Sequence, residues 1–170
     1  RDKVIIATKI YTSHKSSKKE TIQLIDGVLK RMQTDYLDLL YLYQIGTLLP
    51  KRQITNHLER LKNENVIEAL NEAKKAGKIR AAGISSHEGD LTGYMNYAMD
   101  SGDFEIIMFK YNFMSFPKEK ELLIKAKKNN FGSVVFKIAG GAYDQKIKGY
   151  EKSRTPEFRR AAIKWVLSNP

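Results

Sequence analysis

Few side chains in this 170-residue sequence pair a reactive group with a position that could use it. Lys9 follows one short apolar run, Tyr43 ends a second, and Ser85, Ser86 and His87 follow a third. An ammonium can stabilise charge developing on oxygen, a phenol can donate a hydrogen bond, and a serine hydroxyl offers one donor and two acceptor positions. Such groups at the C-terminal ends of successive parallel strands would sit where barrel folds place their chemistry. Each also has an ordinary explanation. Lys9 reads equally as a lysine capping a strand, Tyr43 as one more aromatic beside Tyr41 in a half-buried strand, and His87 as a loop histidine satisfied by backbone.

Other chemistries find little support. The three histidines, at 14, 57 and 87, share no helical-face spacing, and there is no Ser/His/Asp arrangement, metal-ligand spacing or phosphate-binding glycine loop. Cysteine is absent, which excludes disulfides, thiolate catalysis and cysteine-ligated metal centres within these residues. A reducing cytoplasm fits that usage and is the expected location.

The elements that must position these groups alternate. Apolar runs cover Val4 to Ala7, Leu37 to Leu42, Ile79 to Ile84, Ile106 to Phe109 and Ser133 to Phe136. Continuous apolar runs suit parallel strands covered on both faces. Between them lie segments of helical period. Ser17-Lys18-Lys19-Glu20 is a capping box opening a helix with the stripe Ile22, Ile25, Val28, Leu29 and Met32. A second helix is expected from about Asn65 to a stop at Gly77, a third from Leu91 to Met99, a fourth from Pro117 and a fifth from Thr155-Pro156, with Phe158, Ala162, Trp165 and Val166 on its buried side. Tyr43 to Asn63 is the longest non-periodic stretch after a strand, and reads either as a loop on the catalytic face or as a permissive insertion. Five strands and five helices in strict alternation, with no Gly-x-Gly-x-x-Gly turn, point to a (β/α)8 TIM barrel, incomplete here at about five βα units, more than to a doubly wound sheet.

Three stretches then carry a resemblance. Arg1 to Lys9, Thr34 to Tyr43, and Val66 to His87 with its Ala-Lys-Lys-Ala-Gly-Lys-Ile-Arg-Ala-Ala-Gly-Ile-Ser-Ser core are similar, in order and spacing, to the third strand, fourth strand and fifth βα unit of the aldo-keto reductase family. A weaker likeness continues through Lys110-Tyr111-Asn112 and Lys137 to Gly141 as far as Leu167. The resemblance implies one partial barrel domain over residues 1–170, running from the third strand to the helix after the seventh. The strands supplying the family's aspartate and proton-donating tyrosine would then lie upstream, and the segment gripping the adenosine phosphate downstream.

What the resemblance implies for chemistry is an NAD(P)H-dependent reduction of an aldehyde or ketone, with NADP(H) or NAD(H) as cofactor and a small carbonyl compound as substrate. Lys9 matches the family's catalytic lysine. Tyr43 stands where the family usually has its active-site histidine; a phenol can still donate to a carbonyl oxygen, with an ordinary pKa of about 10 in place of imidazole's. Ser85 and Ser86 match the Ser-Asn pair that contacts the nicotinamide carboxamide. Met108 falls where a glutamine usually completes those contacts, and Lys137 where an aromatic often stacks on the ring. Lys137 could instead pair with a cofactor phosphate. The changes at Tyr43, Met108 and Lys137 also fit a relative that kept the fold as a non-catalytic interaction module.

The formal charge of +11 raises a third reading, nucleic-acid binding. The lysines argue against it. They fall in short groups such as Lys18-Lys19, Lys74-Lys75 and Lys125 to Lys128 on amphipathic helices interleaved with acids, as solvated helix faces do. Neither a membrane span nor a nucleic-acid partner is expected. An open barrel segment alone should expose strand edges, and aggregation or partial disorder is the expectation for it in isolation.

Overall fold

A computed structural model describes residues 4–46, 56–86, 89–113, 118–139 and 155–169. Its strands are β1 (Ala7–Ile10), β2 (Leu37–Ile45), β3 (Ile79–Ser86), β4 (Ile106–Lys110) and β5 (Gly132–Phe136). They form one sheet in the order β1-β2-β3-β4-β5, every neighbouring pair parallel. The helices are α1 (Lys18–Met32), α2 (His57–Leu61), α3 (Glu64–Lys75), α4 (Leu91–Ser101), α5 (Lys118–Lys128) and α6 (Pro156–Leu167). Sequential strands lying side by side with helical crossovers are an arc of a (β/α) barrel.

Local sequence explains the helix ends. Ser17 Oγ accepts from the Glu20 amide at 3.2 Å while the Glu20 carboxylate accepts from the Ser17 amide at 2.8 Å, so both halves of the capping box form. Asn63 caps α3, accepting from the amides of Asn65 and Val66. That helix ends as expected at Gly77, whose φ of +72° suits a residue without a side chain. The apolar stripe of α1 buries Ile25, Val28 and Leu29, whereas Met32 is exposed and Thr21 takes a core position.

β1 begins three residues later than the apolar run suggests. Val4 and Ile5 are 63% and 76% exposed. The Asp38 carboxylate accepts from the Ile6 amide at 2.8 Å, and the Ile6 carbonyl accepts from the amides of Asp38 and Leu39. This side-chain capture closes the ladder at Ile6, so regular pairing starts only at Ala7 opposite Leu39. The expected helix start at Pro117 lies outside the described residues. α2, inside the stretch read as non-periodic, was not anticipated.

The core runs between the sheet and its helices. Leu40, Leu42, Ala82, Ile84, Ile107 and Phe109 alternate along β2, β3 and β4 toward Ile25, Leu29, Val66, Leu70, Met95 and Leu122. Burying each of these larger aliphatic or aromatic chains contributes roughly 1.5–3 kcal/mol. The opposite face carries Lys9, level with Tyr41 and Gly83, and beyond them Ser85, level with Met108. Gly83 permits close strand approach there: a Cβ on it would fall 2.1 Å from the Ile106 carbonyl oxygen.

Candidate active site

The strand ends bring Lys9 and Ser85 together. Lys9 Nζ donates to Ser85 Oγ at 3.0 Å, spanning the width of β2, and the ammonium lies 5.2 Å from the centroid of the Phe136 ring. Partial burial against these groups pulls the Lys9 pKa below its ordinary value, although the residue as a whole is exposed. Ser85 is 5% exposed. In this bond its oxygen accepts, so the hydroxyl proton is not the one used.

Ser86 points the other way. Its hydroxyl donates to the Ile45 carbonyl at 2.6 Å and is buried, tying the end of β3 to the end of β2 where the register shifts. The bulge between Leu42 and Ile45 explains the pairing: Gln44 has a φ of +60°, which frees the Ile45 carbonyl to meet a side chain. The two serines therefore do not act as a matched pair.

Tyr43 follows Tyr41 by two residues on the same face of β2 and is half-buried, its ring meeting Tyr11 edge-on at 6.2 Å. Tyr41 is fully buried, its hydroxyl has no hydrogen-bond partner, and burial pushes its pKa up to about 12. Met108 is half-buried next to Ser85 and Val134 in the sheet. Lys137 follows β5 with φ +55° and is exposed, while its carbonyl accepts from Asn112 Nδ2 at 3.0 Å. His87 lies outside the described residues, and His57 packs edge-on against Tyr94 at 5.8 Å. Among the described residues no group of three histidine, cysteine or acidic side chains is placed to hold a metal.

Four residues that sequence reasoning passed over organise this end of the sheet. Arg60 on α2 is 1% exposed and donates to the carbonyls of Thr12, Gln44 and Tyr43. Asn63 Nδ2 reaches the carbonyls of Ser13, His14 and Ser16 at 3.0–3.3 Å, holding the segment after β1. Asn112 fixes the turn at Lys137, and Phe136 faces the Lys9 ammonium. Only the strand-end position of Asn112, beside Lys110-Tyr111, carried any signal in the sequence.

Lysines 18, 74, 78 and 125 are paired with Glu68 or Glu72, Glu105, Asp26 and Asp100 at 2.6–3.6 Å. These are solvent-screened surface pairs, each worth little individually. No helix among the described residues is long and apolar enough to cross a membrane.

A parallel βα arc with a lysine–serine contact at the C-terminal strand ends defines a TIM-barrel class of chain. The aldo/keto reductase family model matches residues 1–168, and the chain belongs to that family. It is similar to the aldo-keto reductase YhdN of Bacillus subtilis, 27% identical over an aligned length of 183 positions, gaps included, that takes in 99% of this chain and 51% of that protein. Its fold matches a solved Pseudomonas aeruginosa chain of aldo-keto reductase type at TM-score 0.72 and 22% identity, over all of this chain and 58% of that one. The aldo/keto reductase of Klebsiella pneumoniae, solved with NADP and acetate, matches at TM-score 0.64 and 21% identity over 96% of this chain and 52% of that one. The chain thus spans about half the length of the relatives it matches.

Proposed function

We propose that residues 1–170 form one partial barrel domain of a cytoplasmic oxidoreductase that reduces an aldehyde or ketone with NADP(H) or NAD(H). The observation that carries this reading is the 3.0 Å contact between Lys9 and Ser85 at the C-terminal ends of their strands, in a chain whose family is established. The Klebsiella pneumoniae and Bombyx mori relatives are solved with NADP, which supports that cofactor class.

The donor set fits a nicotinamide cofactor in part. Ser85 has a proton to donate toward a carboxamide oxygen, and exposed Lys137 offers an ammonium to a phosphate. Ser86 fits poorly, because its proton is held by Ile45. When bound, the cofactor supplies a hydride. The chain's own residues then orient and neutralise: Lys9 places positive charge near the reacting oxygen and lowers the pKa of the tyrosine from outside residues 1–170 that would give the alkoxide its proton, and Tyr43 donates a hydrogen bond to the carbonyl. Met108 packs beside Ser85 and restricts where the carboxamide can lie.

The retention of Ser86 by Ile45, together with the apolar Met108, favours as a second reading a family member that binds a partner without turnover. Cofactor fluorescence and NADPH or NADH oxidation with small aldehydes and ketones separate the two, using the protein as it occurs in its source. Quenching with turnover supports the oxidoreductase. Absence of both overturns it.

A further inference from the structure

Arg60 is the largest side chain among the fully buried residues of the described chain. Its Nε donates to the Thr12 carbonyl at 2.7 Å, Nη1 to the Gln44 carbonyl at 2.9 Å and Nη2 to the Tyr43 carbonyl at 2.9 Å. The guanidinium lies 4.6 Å from the centroid of the Tyr11 ring, which in turn meets the Tyr43 ring edge-on. No carboxylate among the described residues pairs with it. Burial is the largest influence on its pKa, which it lowers, and the phenols of Tyr11 and Tyr43 oppose that shift.

A buried cation compensated only by carbonyl dipoles and a ring face is a weak way to gain stability. The junction around it is also poorly satisfied. Thr12 Oγ1, Gln44 Oε1 and His57 Nδ1 are buried without hydrogen-bond partners, three of the four such side-chain atoms among the described residues. Unsatisfied groups gathered at one place mark sites kept for something other than stability. What the fork does is geometric: Thr12 lies three residues after Lys9, and Tyr43 and Gln44 lie just before the last residue of the neighbouring strand, so one planar group sets the spacing of the two strand ends.

We propose that Arg60 is a positioning residue: by holding the backbone at Thr12, Tyr43 and Gln44 it fixes the Tyr43 phenol relative to Lys9, and so sets the orientation of the carbonyl substrate. The inference rests on the oxidoreductase reading for its catalytic consequence. Its structural half stands alone. Lysine at this position keeps the charge but cannot make three planar contacts.

The test uses the protein as it occurs in its source, with Arg60→Lys, Arg60→Met, Tyr43→Phe and the Arg60→Lys/Tyr43→Phe double variant. NADPH binding is read by fluorescence, turnover with para-nitrobenzaldehyde, and the Tyr11–Tyr43 ring contact by nuclear Overhauser effects on labelled tyrosines. Arg60→Lys is expected to leave NADPH affinity within about twofold, to lower kcat/KM roughly 10- to 100-fold through a displaced Tyr43, and to lose the ring contact. Its effect should be largely absorbed in the Tyr43→Phe background, because both act through one phenol. A merely structural role would lower the melting temperature and multiply in full with Tyr43→Phe. Unchanged kcat/KM in an active protein overturns the proposal. If the wild type shows no turnover, the oxidoreductase reading fails, and a retained Tyr11–Tyr43 contact in both Arg60 variants then overturns the positioning role.

Discussion

The two ends of the sheet are built differently. β1 to β3 meet at a junction where Arg60, Asn63 and Ser86 hold backbone groups of neighbouring segments with charged or polar side chains, and β2 and β3 are buried along most of their length. β5 is half-buried except at exposed Ser133, and a hollow of about 280 Å³ between the end of β4 and α6 is lined by Phe113, Phe158, Ala161, Ala162 and Trp165. α6 is anchored by the Tyr111 hydroxyl donating to Asn169 at 2.9 Å and by Tyr111 against Trp165 at 5.1 Å. The contrast places rigidity where Lys9, Tyr43 and Ser85 sit, and leaves Lys137 on the open side. On the proposed reading that contrast fits the roles: catalytic groups need fixed geometry, while a residue pairing with a phosphate through one point charge tolerates movement.

Lys9→Met should break the comparison most severely. With the ammonium gone, turnover is expected to fall by about 10²-fold or more while the fold survives, because the residue is exposed. Steady-state NADPH oxidation beside a thermal melt checks both. Core substitutions come next. Leu42→Ala, at a fully buried position, should cost about 2–5 kcal/mol; Val135→Ala on half-buried β5 should cost about 1 kcal/mol at roughly 0.8 kcal/mol per buried methylene. Urea unfolding of both variants measures the difference, and equal losses would erase the distinction between the two ends.

The serines sharpen the comparison within one strand. Ser86→Ala leaves the Ile45 carbonyl without that donor and should lower stability by about 1–3 kcal/mol with little effect on cofactor affinity. Ser85→Ala should do the reverse. The effect confined to the narrowest conditions is expected at Tyr41. Its pKa of about 12 in the fold, against 10.0 ordinarily, means that the unfolded chain releases this proton first, so stability falls as pH rises from 10 toward 12 and is unaffected below that window. Ultraviolet difference titration should find one tyrosine ionising about two pH units late, unless Tyr41→Phe leaves the curve unchanged.

Much of this architecture was legible because it rests on local rules. The Ser17–Glu20 capping box and the Gly77 stop need only neighbours in sequence, and the apolar runs of β2 to β4 sit within a few residues of their observed bounds. β1 slipped because the Asp38 carboxylate, 32 residues away, ends the ladder before Val4 and Ile5. Arg60 was invisible for two reasons. Its five-residue helix is too short to show a period, and an arginine between glutamate and leucine looks like a solvated face. Of the candidate site, Lys9 and Ser85 do meet, whereas Ser86 is turned away by a bulge that no spacing announces.

The most direct test of the Lys9–Ser85 site is NADPH titration of the protein as it occurs in its source beside its Ser85→Ala variant. The account predicts saturable quenching by the wild type and affinity about five- to tenfold weaker in the variant, the loss expected for one hydrogen bond of about 1 kcal/mol. No quenching by the wild type, or identical affinity in both, would contradict it.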